Sequence, residues 1–279
     1  GKTKLTGGTL DIGSHGETVG LLSLLGGTVT GTVTGNIIGS GTGTGSVSIT
    51  TAGDGGRSFG IGSTSTQLVA ISNNTIGSMT VSSTTTGQSA SLTGIQVTKG
   101  TNIISGNTVG STSTSNSLNA STTVSSGSVA QQVSGIESLN SGSSNQSTIT
   151  NNTVANLTNR STQSLSSARI YGISTTVGVN SITGNTVRNL STPSQSTSLS
   201  VVGIFLTSSQ EGQTISRNVI HTLANTSNAA IIPAPNAAVK VAGIYYQGGI
   251  SGDNVIAGNF VHSLALDSNN TSAELSGVH

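Results

Sequence analysis

The sequence predicts an all-β fold, a parallel β-helix of about seven turns with Ser/Thr/Asn-rich side loops, on three observations. The first is a motif that recurs seven times: an aliphatic residue, two spacers, an Asn, one spacer, and another aliphatic. It reads Val33-Asn36-Ile38, Ile71-Asn74-Ile76, Ile104-Asn107-Val109, Ile149-Asn152-Val154, Ile182-Asn185-Val187, Ile215-Asn218-Ile220 and Ile256-Asn259-Val261. Its copies begin 38, 33, 45, 33, 33 and 41 residues apart, the period of a stacked repeat protein. The second is a Gly followed by Ile or Val between the motifs, at Gly60, Gly94, Gly135, Gly172, Gly203, Gly243 and Gly277. The third is composition: 6% of residues are charged and 2% aromatic, while the aliphatic residues are periodic. Charge-driven disorder does not fit such a chain, and an elongated solenoid does.

Each element follows from parity. Residues an odd number apart on a straight strand face opposite sides, yet the two aliphatics of the motif lie five apart and both read as core. The chain must turn a corner between them. The residue before the motif Asn is Gly or Asn in six copies and Arg217 in the other, and Gly and Asn tolerate a left-handed backbone. Four later copies carry a further Leu three residues on, at Leu157, Leu190, Leu223 and Leu264. Together with the glycine marker this gives three short strands and two corners per turn. At about 4.8 Å per turn, seven turns rise roughly 34 Å. Segments 111–131, 141–148 and 226–240, the last with Pro233 and Pro235, are expected as side loops. Residues 1–32 are expected as irregular N-terminal turns or a cap. Residues 33–279 form the β-helix, expected to be open at its C-terminal end because Gly277-Val278-His279 begins another turn.

Bulk properties narrow the function. Nine Lys and Arg, scattered singly for a net charge of +1, do not form the cationic cluster that nucleic acid requires. Cysteine is absent, and no run of 18 apolar residues spans a membrane. The chain begins at Gly1 with no charged-then-apolar leader, as expected of a processed or excerpted chain whose signal peptide lay upstream.

The Ile-x-Gly-Asn-Thr-Val wording, clearest at Ile182-Thr183-Gly184-Asn185-Thr186-Val187, resembles the right-handed parallel β-helix repeats of pectate-lyase-type proteins. It is most similar to very large repetitive secreted bacterial cell-surface proteins. The resemblance covers residues 33–278. It implies a right-handed coil, an extracellular location, and an Asn ladder along one corner formed by Asn36, Asn74, Asn107, Asn152, Asn185, Asn218 and Asn259.

Candidate chemistry is sparse. Polysaccharide-cleaving β-helices use paired carboxylates, or carboxylates holding calcium beside an Arg or Lys. The eight acids here share no offset from the motif; Asp54 with Arg57 and Glu137 with Lys99 are the best pairs. Three residues past the motif Asn, Arg188, His221 and His262 fall on consecutive turns. The two histidines are weak metal candidates without a third ligand, and no metal or cofactor is expected. Phe205 lies at the offset of Tyr245, so Phe205, Tyr245 and Tyr246 could contact a glycan as a small aromatic platform. Thr-x-Thr units do not recur at one offset, which argues against an ice-binding lattice. The expected function is a non-enzymatic structural or adhesive module of an extracellular bacterial surface protein, self-associating through its β-helix ends or through flanking repeats: either the chain is an excerpt of a longer array, or copies stack head to tail into a filament. The alternatives are a carbohydrate-active lyase or hydrolase, and a glycan-binding module.

Overall fold

The computed structural model describes residues 31–51, 56–84, 89–123, 130–140, 142–162, 168–195, 199–227, 240–249, 251–267 and 273–279, together with the strands Lys4–Leu5, Gly8–Ile12 and Thr18–Leu24. The described elements are all strands, and they form three sheets in which every pairing is parallel: a parallel β-helix. A seven-stranded incoming sheet runs into the Asn corner, and a twelve-stranded outgoing sheet leaves it. An eight-stranded glycine sheet carries the Gly-Ile marker. The strands Lys4–Leu5, Gly8–Ile12 and Thr18–Leu24 extend the outgoing and glycine sheets by one turn.

The repeated residues stand in register. Ile104 pairs with Ile149 and Ile149 with Ile182 in the incoming sheet, and Ile136, Ile173, Ile204 and Ile244 follow one another in the glycine sheet. The corner is made by the residue before the motif Asn. Gly35, Asn73, Gly106, Asn151, Gly184, Arg217 and Gly258 all have φ between 55° and 69°. Arg217 adopts this left-handed backbone although it is neither Gly nor Asn, so the geometry of the corner overrides local preference.

The outgoing sheet holds a second left-handed column. Ser78, Asn156, Asn189, Thr222 and Ser263, four residues past the motif Asn in five of the seven copies, have φ of 54–60°. Each resets the alternation, which is why Val187 and Leu190, three apart, are both fully buried. In the first and third copies the same strand is split by an insertion, so the core residues arrive late, as Val47 and Leu118. Leu118 therefore lies in a strand, Leu118–Ala120, within the segment expected as a loop, and pairs with both Met79 and Leu157. The strand Gln146–Thr150 likewise claims the end of the expected 141–148 loop. Most of the 226–240 loop, with Pro233 and Pro235, lies outside the described residues.

One continuous apolar core runs along the axis. The glycine column is there for space. A Cβ on Gly60, Gly94, Gly135, Gly172, Gly203 or Gly243 would fall 2.3–2.5 Å from a methyl of Ile76, Val109, Val154, Val187, Ile220 or Val261 respectively. It would also fall 2.5–2.8 Å from the carbonyl oxygen of the glycine one turn on. The motif's second aliphatic thus fills the volume that the glycine leaves.

Candidate functional site

The seven motif Asn residues stack along the corner. The Nδ2 of each of Asn36, Asn74, Asn107, Asn152, Asn185 and Asn218 donates to Oδ1 of the Asn one turn on, over 2.9–3.0 Å. The backbone N–H of the same residue donates to that same oxygen. From Asn74 to Asn259, Nδ2 also donates back to the carbonyl of the motif's first aliphatic one turn earlier, as from Asn185 to Ile149. In the interior turns both amide hydrogens and both acceptor directions are used, so a fully buried polar group costs little to bury. Five residues before the last five ladder Asn residues stands a second polar row: Asn102, Ser147, Asn180, Gln213 and Asn254. Gln213 Oε1 accepts from the backbone and side chain of Asn180, and Asn254 Oδ1 accepts from the backbone of Gln213. Sequence reasoning missed this row because its members differ in residue type and Gly31 and Val69 hold the same offset in the first two copies.

Arg188, His221 and His262 occupy neighbouring positions in the outgoing sheet, as their offsets required. The two imidazoles stack with centroids 4.7 Å apart and planes 5° apart. Parallel rings aim their in-plane lone pairs side by side rather than at one point, which does not suit shared coordination of an ion. Each Nδ1 is also engaged by the next residue's hydroxyl, Thr222 or Ser263. No group of three or more His, Cys, Asp or Glu gathers among the described residues. Burial, then the charges of His262 and Arg188, hold the His221 pKa below its ordinary value. The folded state therefore favours neutral His221. Its contribution to stability is complete above the unfolded pKa of about 6.5 and is lost as the pH falls below it. Melting temperature should drop between about pH 7.5 and about pH 5. His221→Gln should flatten that part of the drop; an unchanged pH profile in the variant would contradict this account.

On the outer face of the glycine sheet, Tyr171, Phe205, Tyr245 and His279 form a column of rings, with centroids 4.7, 5.3 and 5.1 Å apart and planes within 11°. Tyr171 joins from a different offset, because Ser174 stands at the Phe205 position one turn earlier and leaves room. Tyr246 does not take part. Successive strand residues face opposite sides, so Tyr246 turns inward against the main core and its hydroxyl donates to the Gly249 carbonyl. The stacked rings of Phe205 and Tyr245 cover one another's faces and present their edges. Burial raises the Tyr171 phenol pKa against the opposing pull of Arg169.

Of the expected acid pairs, Asp54 lies outside the described residues. Glu137 is 4% exposed and is held by the amides of Gln96 and Gln132, at 2.7 and 2.9 Å, rather than by Lys99.

The last turn differs from all before it. Ile215, Val241 and Ile244 are at most 1% exposed, whereas Ile256, Leu275 and Val278, their partners one turn on, are 39%, 51% and 54% exposed. Phe260 is 60% exposed. The strands Val255–Ala257, Phe260–Leu266 and Glu274–Val278 end the incoming, outgoing and glycine sheets, so three strand edges open on one face. Among the described residues, nothing accepts the backbone N–H or the second amide hydrogen of Asn259, which in every earlier turn go to the next Asn. A Cβ on Gly277 would meet nothing within 4 Å. Compared with family models, curated proteins and solved structures, the chain finds no match.

Proposed function

We propose that the chain is a non-enzymatic structural module of an adhesive extracellular surface protein, and that its last turn pairs with a further parallel turn, that of flanking repeats in a longer array or that of a second copy stacked end to end. The observation that carries this reading is that one face joins exposed core side chains, three strand edges and the open end of the Asn ladder. Apolar surface and unpaired strand edges of this kind invite a further parallel strand. At the opposite end, Lys4–Leu5, Gly8–Ile12 and Thr18–Leu24 run in the same direction in the outgoing and glycine sheets, and Gly31–Thr34 begins the incoming one. A second copy can therefore continue the stack with parallel pairing, and a head-to-tail contact that does not close gives a filament. The extracellular setting rests on the resemblance to surface repeats and on the uncharged, hydroxyl- and amide-rich composition.

Gly277 provides the test. Its Cβ is tolerated within one copy but would face the carbonyl of an added turn, as at every earlier glycine. Sedimentation velocity should show concentration-dependent oligomers of the wild-type chain, and electron microscopy thin filaments. Gly277→Ala should remain monomeric at an unchanged melting temperature. Wild-type monomers at all concentrations, or assembly unaffected by Gly277→Ala, would overturn the proposal.

A further inference from the structure

We propose that the outgoing strand of the last turn, Phe260–Leu266, is a pH-released edge. It closes on the strand before it at neutral pH and lets go when His221 and His262 both take up a proton, which regulates the end face. The inference rests on the end-face reading above, because this strand supplies one of the three edges on that face.

Among the described residues, Phe260–Leu266 pairs with a strand on one side, Val219–Asn225, whereas Val219–Asn225 is paired on both. The packing beneath it is also incomplete. Val261 and Leu264 are half-buried, where Ile220 and Leu223 one turn earlier are fully buried. On the outer side the two strands meet through the stacked imidazoles of His221 and His262, 4.7 Å apart. Arg188 continues the same column, in register with His221. Three groups able to carry positive charge thus stand on successive turns about 4.8 Å apart.

No carboxylate balances this column: among the described residues, none of the three pairs with an acid. The Arg188 guanidinium donates to the uncharged Thr112 carbonyl. Of the charged groups on neighbouring segments, Glu274 is taken by His279 at 2.7 Å, and Asp267 lies past the end of the strand. Arg217, just before Val219, and Lys240, which begins a glycine strand, add only positive charge. Each imidazole Nδ1 faces a hydroxyl, which accepts from a protonated ring as readily as it donates to a neutral one, so protonation breaks no hydrogen bond. The effect is one of charge. A single imidazolium at His262 is accommodated, since Phe260 packs beside it at 4.7 Å. The second proton sets like charges on rings 4.7 Å apart with Arg188 behind them. Val219–Asn225, held from both sides, stays in place, and the last strand moves. Histidine is the side chain that changes charge between pH 8 and 5, so the release falls in that range. The Glu274–His279 contact is strengthened by a proton on His279, so the glycine edge of the last turn stays closed.

The test separates release from stacking. In the Gly277→Ala chain, monomeric on the end-face reading, amide exchange is measured at about pH 7.5 and about pH 5.5, relative to unfolded peptide at the same pH. The Phe260 and Asp267 amides donate across the seam to Asn218 and Asn225. They should lose protection at least about fivefold at the lower pH. Thr186, which donates to Asn152 inside the stack, should keep its protection. His221→Gln should abolish the loss, and His262→Gln, which removes the other imidazole, should do the same. In the wild-type chain, self-association measured by sedimentation should weaken at least about fivefold over the same interval, and His221→Gln should preserve it. Protection of Phe260 and Asp267 that ignores pH, or a loss that survives both substitutions, would overturn the switch. Wild-type monomers at both pH values would overturn the end-face reading instead, with the exchange result still deciding the switch.

Discussion

Gly172→Ala should destabilise the chain by about 3 kcal/mol, the upper part of the range for overpacking a closed core. The added methyl would lie 2.3 Å from Val187 Cγ1 and 2.5 Å from the Gly203 carbonyl oxygen. Neither can retreat. Val187 is fully buried and β-branched, so its side chain has little rotamer freedom. The Gly203 carbonyl belongs to a backbone held by strands on both sides. A urea midpoint falling by the corresponding amount at unchanged slope is the expected result. A substitution tolerated within about 0.5 kcal/mol would mean that the two sheets can move apart and that the glycine column is not a packing requirement.

The glycine marker was legible because each copy keeps the same residue at the same offset from its Ile or Val, and the Asn corner was legible for the same reason. What escaped the sequence is instructive. The second left-handed column is filled by Ser78, Asn156, Asn189, Thr222 and Ser263, residues with no common side-chain chemistry, so only the backbone reveals it. Val47 and Leu118 were hidden because an insertion in the first and third copies delays them relative to Met79, Leu157, Leu190, Leu223 and Leu264, which all stand at one offset from the motif Asn. The aromatic column was half legible. Phe205 and Tyr245 share an offset, but Tyr171 enters only because the small Ser174 stands beside it.

Asn185→Leu should cost about 3–4 kcal/mol, from several buried groups losing their partners at once. Leu removes the acceptor for both the backbone N–H and the Nδ2 of Asn152, and the donors to the Ile149 carbonyl and to Asn218 Oδ1. Asn218 Oδ1 keeps the bond from the backbone of residue 185, while Asn152 is left with two unsatisfied donors inside the stack. Asn259→Leu should cost far less, because Asn259 is half-buried and has no Asn above it. Comparing the two substitutions by denaturation separates the ladder from the general effect of placing Leu at a corner. Equal costs would mean that the stacked amides contribute little.

Both the closed core and the open last turn depend on one claim, that buried side-chain amides lock each turn to the next and leave a donor at the end. Hydrogen exchange of the Asn side-chain amides, followed by NMR, tests it most directly. The Nδ2 protons of Asn107, Asn152, Asn185 and Asn218 should exchange only as the whole stack opens. That of Asn259 should exchange much faster, as should that of Asn116, whose Nδ2 lies outside the ladder. If the four interior ladder amides exchanged as fast as Asn116, the ladder would not be a buried hydrogen-bonded stack, and the account of the fold and of its open end would fail together.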